Sequence, residues 1–136
     1  MLFRSNDNVD AGELGAGHNV TAIYAVQFQP YAAGRIATLQ VRWQDPQTYA
    51  VHEVNGNFNT WDLASSFESA DAYYQHAVIV GYYAERLRLS PWTFEIPMSW
   101  MIEHASRIAG QLPADKEISQ FVSLVSRAAQ IEALNQ

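Results

Sequence analysis

The chain contains no cysteine, which excludes disulfides, thiolate catalysis and thiolate metal sites. It is also poor in positive charge. Eight Lys plus Arg stand against fourteen Asp plus Glu, a formal net charge of -6. Only Arg86 and Arg88 lie close together, and a helix points residues two apart in different directions. A chain of this charge offers little to a phosphate backbone, so nucleic acid is not an expected partner. No apolar run reaches the roughly 18 residues of a membrane-spanning helix, so this segment is not expected to insert into a bilayer. Residues 1–6 lack the apolar stretch of a signal peptide, so any targeting segment is expected elsewhere in a parent protein.

What the chain does have is apolar side chains. Hydrophobic residues make up 49% of 136 and aromatics 12%, while charged residues are only 16%. That composition is globular, and its low charge suggests apolar surface kept for a partner or a missing neighbour. One α+β domain is expected over residues 1–136, as a fragment of a larger protein. It divides into an irregular Gly-rich lead-in at 1–19, a β part at 20–63 and a helical part at 65–136.

In the β part, Val20–Phe28 alternates with apolar residues on both faces, as in a strand covered on two sides. Arg35–Trp43 alternates cleanly and is close enough to pair with it as an antiparallel hairpin. Asp45-Pro46 ends that strand, and Thr48–Val54 reads as a third, short one. Asn55-Gly56-Asn57 reads as a turn. From Ser65 the period becomes helical. Ser65-Ser-Phe-Glu68 fits a capping box, with a stripe through Phe67, Ala70, Tyr74, Ala77, Val78, Gly81 and Ala84 running to about Leu89. Tyr73, Val80 and Leu87 widen that stripe. A second helix spans roughly Pro97–Gln111, with Met101, His104, Ala105, Ile108 and Leu112 on one side. A third runs from about Asp115 to Ala133, with Ile118, Phe121, Val122, Val125 and Ala129 inward. Strands followed by helices, without βαβ alternation, mean α+β: antiparallel strands (a partial β-sandwich) and then three helices.

No catalytic, cofactor-binding or metal-ligating residue emerges from the chemistry-bearing side chains. Gly12-Glu-Leu-Gly15-Ala-Gly17 leads into a strand, whereas a phosphate-binding fingerprint follows one and opens a helix. The oxygens of Asn6, Asp7, Asn8, Asp10 and Glu13 miss the EF-hand pattern, because Gly12 falls at position seven and Gly17 at twelve counted from Asn6. His18, His52, His76 and His104 are too far apart for a chelating pair. His76 and His104 sit on or beside apolar stripes, where a hydrogen-bonded core histidine is the ordinary explanation. The aromatics Phe67, Tyr73, Tyr74, Tyr82, Tyr83, Trp92 and Trp100 read as core or interface.

The run Asn8-Val-Asp-Ala-Gly-Glu-Leu-Gly-Ala-Gly-His-Asn-Val-Thr-Ala-Ile-Tyr-Ala-Val26 resembles the start of the C-terminal region of bacterial proteins that carry a von Willebrand factor type A domain. Asp10, Gly12, Glu13, Gly15, Gly17, His18 and Tyr24 carry the motif as structural positions. Leu39–Trp43, Phe67–Asp71 and Leu112–Val125 resemble the following strand and the helical tail, extending the resemblance over residues 6 to about 131. It implies a non-catalytic structural or protein-interaction module flanking the type A domain in a bacterial cell-envelope protein. The type A domain's Asp-x-Ser-x-Ser ion loop is absent here. The implied partners are that domain, strands from before it, an envelope protein, and a second copy through unpaired strand edges. The alternative reading is a small-molecule or peptide binding domain with an aromatic-lined pocket. An enzyme would need polar residues converging on His18, His52 or His76.

Overall fold

In the computed structural model, which describes residues 17–93 and 95–134, two antiparallel strands precede three helices. The arrangement is α+β. The strands are β1 (Arg35–Gln44) and β2 (Val51–Asn59); the helices are α1 (Ala72–Leu87), α2 (Met98–Gln111) and α3 (Lys116–Leu134). Single 3-10 turns stand at Thr60–Asp62 and Pro91–Thr93.

β1 pairs with β2, so the expected hairpin between Val20–Phe28 and Arg35–Trp43 does not form. The connection explains why. Tyr31 and Gly34 both adopt positive φ, and Gly34 is tied to the far end of β2. Its N–H donates to Thr60 Oγ1 at 3.1 Å, and its carbonyl accepts from the Thr60 N–H at 2.9 Å. The chain before Gly34 is therefore led off the ribbon, and Ile23 lies against Gly81 of α1. An added Cβ on Gly81 would stand 2.8 Å from Ile23 Cδ1.

The reversal between β1 and β2 is built on Asp45. Its Oδ1 accepts from the N–H groups of Gln47 (2.8 Å) and Thr48 (2.7 Å), and its N–H donates to the Ala50 carbonyl at 2.9 Å. These donors, the Thr48 N–H first, hold its carboxyl below the ordinary value. With the turn made there, Asn55-Gly56-Asn57 is not a turn but lies within β2. Thr38 faces Asn57, Leu39 faces Gly56 and Gln40 faces Asn55. The alternation Val54, Gly56, Phe58 continues at period two, and it outweighs the local turn preference.

The helices meet through Ile79 and Tyr83 of α1, Met98, Met101, Ala105 and Ile108 of α2, and Ile118 and Val125 of α3. α2 and α3 bury the faces their spacing predicts. α1 does not. Its inward residues are Gln75, Val78, Ile79 and Tyr83, a face turned from the expected stripe, and Tyr74 is 57% exposed. Tyr73, Val80 and Leu87 are exposed too. α1 also starts later than Ser65. Asp71 caps it, accepting from the Tyr73 and Tyr74 N–H groups at 2.9 and 3.2 Å. Ser66 and Ser69 instead close a turn of their own, each backbone N–H donating to the other's hydroxyl. Short polar side chains that bond nearby backbone compete with helix, and here they delay it.

α1 ends in a Schellman motif, Ser90 N–H to Glu85 O and Leu89 N–H to Arg86 O, both 2.9 Å. That puts Leu89 at φ +56. Asp115 caps α3 by accepting from Glu117 and Ile118. Across the bundle, Arg86 forks onto Glu132 at 3.1 and 2.8 Å. That pairing raises the Arg86 pKa and lowers that of Glu132.

Candidate functional site

Two surfaces have functional content. The first is the ribbon. Directly opposed residues of an antiparallel pair project to the same side. Ala37, Leu39, Val41 and Trp43 therefore share a face with Phe58, Gly56, Val54 and His52, while Thr38, Gln40 and Arg42 share the other with Asn57, Asn55 and Glu53. The first face is apolar and the second polar. Trp43 stacks on His52 with centroids 5.4 Å apart, and Thr38 donates to Asn57 Oδ1 at 3.0 Å. Nothing covers the apolar face among the described residues: Leu39 is 64% exposed, Val54 54% and Trp43 47%.

The second surface is a groove between α1 and the entry to α2, with a volume of about 380 Å³. The Ser65–Ser69 turn presents Phe67, α1 presents Val78 and Tyr82, the segment before α2 presents Glu95, Ile96 and Pro97, and α2 presents Trp100. Trp100 is the hub. Its ring lies 5.6 Å from Phe67 at 37° and 6.3 Å from Tyr82 at 61°, and it stacks on His104 at 4.1 Å. His104 Nδ1 lies 3.0 Å from the Trp100 carbonyl, which only accepts, so Nδ1 carries the proton. Nε2 then faces Glu68 Oε1 at 3.5 Å and donates to it only as imidazolium. The Glu68 carboxyl sits below its ordinary value, held first by its own backbone N–H and next by the Ser66 hydroxyl, with a smaller pull from His104.

Gln75 fixes this corner from beneath. It is buried, and its Nε2 donates to the carbonyls of Ala70 (2.7 Å) and Glu68 (3.2 Å), while its Oε1 accepts from Arg107. One amide thus joins the turn that carries Phe67 to α1 and α2. Sequence reasoning missed it, because a glutamine in a helical pattern reads as surface.

The motif positions fall into two groups. Gly17, His18 and Tyr24 are exposed, with Gly17 at φ +81. Asp10, Gly12, Glu13 and Gly15 lie outside the described residues, as do the oxygen-rich stretch 6–13 and the side chain of Trp92. The structure does not gather the histidines. His52 is on the ribbon, and His104 stacks on Trp100. His76 meets Phe121 edge-on at 5.2 Å, with a buried Nδ1 that has no partner. Among the described residues, no three His, Asp or Glu side chains cluster to hold a metal ion, and no helix is long and apolar enough to cross a membrane.

Residues 3–34 match the family model described as "Uncharacterized protein YfbK, C-terminal". The match contains every motif position from Asp10 to Tyr24 and stops where β1 begins. The segments Leu39–Trp43, Phe67–Asp71 and Leu112–Val125 lie beyond it. No curated protein and no solved structure matches the chain. The similarity is therefore to an uncharacterised C-terminal region, and it rests on residues 3–34, the lead-in and the Val20–Phe28 segment together.

Proposed function

We propose that this chain is a non-catalytic structural and interaction module that flanks a von Willebrand factor type A domain in a bacterial cell-envelope protein. The observation that carries the reading is the uncovered apolar face of the β1–β2 ribbon. Two strands alone are marginal in water, and stability needs a third strand or a cover over the apolar face. The helices do not supply that cover; Leu39, Val41, Trp43, Val54 and Phe58 are all at least 45% exposed. Strands from before the type A domain would supply it, completing a sandwich, with the lead-in motif at the junction. The similarity of residues 3–34 to the YfbK C-terminal region supports reading the chain as a C-terminal part of a larger protein. In isolation the same face and the open strand edges recruit a second copy.

Hydrogen exchange tests this. Amides of Leu39–Trp43 and Val51–Phe58 are compared in the chain alone, held dilute, and in the chain joined to its upstream residues. Protection rising roughly a hundredfold in the joined protein, the signature of a covered sheet, is expected. Equal exchange in both overturns the proposal. In the isolated chain, light scattering at high micromolar concentration is expected to show association that Leu39→Pro abolishes, since proline deletes a ladder donor.

A further inference from the structure

From the groove beside Trp100 we infer a second, independent binding site, one that takes an arginine side chain presented by a protein partner. Three features of the groove converge on that chemistry. Three of the lining residues, Phe67, Tyr82 and Trp100, are aromatic and in mutual contact, so a cation resting on the outer face of one of these rings lies within about 6 Å of its centroid, the range of cation–π attraction. The floor of Val78, Ile96 and Pro97 is apolar and suits the methylene stem of a long side chain. Glu95 belongs to the lining and is exposed, so its carboxylate can meet a charge entering from solvent.

The surrounding charges agree. Two guanidinium groups beside the groove are already committed: Arg86 forks onto Glu132 and donates to the Ile96 carbonyl at 3.3 Å, and Arg107 donates to Gln75 Oε1. Neither leaves an unmet positive charge there. A chain of net charge -6 favours a basic partner over long range. Arginine fits better than lysine, since a planar guanidinium stacks on rings and forks onto a carboxylate together, while an ammonium is a strongly hydrated point charge. The volume of about 380 Å³ suits one such side chain with adjoining backbone.

The test uses the whole chain and three probes in an NMR titration: acetyl-Gly-Arg-Gly-amide, the matching leucine peptide, and choline. Saturable shifts of Trp100, Tyr82 and Ile96 are expected with the arginine peptide and not with the leucine peptide. Glu95→Gln should weaken the arginine peptide roughly tenfold, as expected for losing a charge-assisted contact, without disturbing the fold. Higher salt should weaken it more in the unsubstituted chain than in Glu95→Gln, where only the long-range attraction of the remaining acidic charge is left to screen. Equal binding of the leucine peptide makes the groove a general apolar anchor and overturns the inference. Choline displacing the arginine peptide at lower concentration overturns it in favour of a quaternary ammonium ligand. The absence of saturable shifts at these residues also overturns it.

Discussion

The helical part and the ribbon are both amphipathic, yet only one of them uses its apolar face. In residues 72–134 three helices turn their stripes toward one another, and Ile79, Met101, Ala105, Ile108 and Val125 are fully buried. In residues 35–59 the alternation is just as regular, and the face it creates stays in solvent. Regular patterning therefore says that a face will be covered, but not by what. A helix stripe finds its partner within the next few dozen residues, because short links such as Leu112–Asp115 bring antiparallel helices together. A ribbon needs a second layer, and this chain's remaining β-patterned segment, Val20–Phe28, is held away from it by the Gly34–Thr60 bonds.

The contrast can be broken most directly in the core. Met101→Ala or Ile108→Ala should cost about 2–5 kcal/mol, because each empties a filled interior site. Leu39→Ala on the ribbon should change the stability of the monomer by less than about 0.5 kcal/mol. Denaturant unfolding of dilute protein measures both. A ribbon loss as large as the core loss would mean that the apolar face is covered in solution.

Gln75→Ala is the next largest. It leaves the Ala70 and Glu68 carbonyls and Arg107 without the amide and should cost about 1–3 kcal/mol. The loss should be accompanied by a change in the Trp100 environment, read from its indole resonance, because the Phe67 turn is released. Unchanged stability would show that the clamp is not needed.

Stability should also fall in mild acid through the bundle alone. Burial holds His76 below its ordinary value of 6.5, with Asp115 pulling weakly the other way. The unfolded chain then takes up a proton that the folded chain resists. This contribution is complete above about pH 6.5 and is lost as the pH falls toward the depressed folded value. His76→Leu should flatten the slope in that window. Glu132, lowered by Arg86 from 4.5, loses its contribution only at more acid pH, so the two windows separate. Unfolding midpoints from pH 7.5 to 5 in both proteins decide it; parallel profiles would count against a role for His76.

The smallest effect is a gain. Leu89 is 77% exposed and held at φ +56, where a side chain is strained and glycine is not. Leu89→Gly should stabilise by about 1 kcal/mol. A loss in thermal unfolding would mean that its side chain packs on something.

Much of this was legible in the residues. α2 and α3 stand within a residue or two of their expected limits, since long stripes bounded by Pro97, Pro113 and Asp115 leave little choice. β1 was equally clear. The failures have a common physical form: a local signal overruled by a bond made elsewhere. Asp71 took the cap that Ser65 seemed to offer. Asp45 made the reversal and released Asn55-Gly56-Asn57 into β2. Gln75 entered the core because its amide was fully met, turning α1 and exposing Tyr74. The groove was legible only as composition, because Phe67, Tyr82, Glu95 and Trp100 come from separate elements and meet only in space.

The polar side of the ribbon has a consequence of its own. Thr38, Gln40, Arg42, Glu53, Asn55 and Asn57 keep water on that side, so a second layer can settle on the ribbon from one direction only. Face-to-face packing there has a valence of one: it is used up by the first occupant and cannot propagate into a stack. Whatever sits on Leu39, Val41 and Trp43 thereby excludes every rival for that face, and a second copy bound there would have to leave before the proper partner could dock.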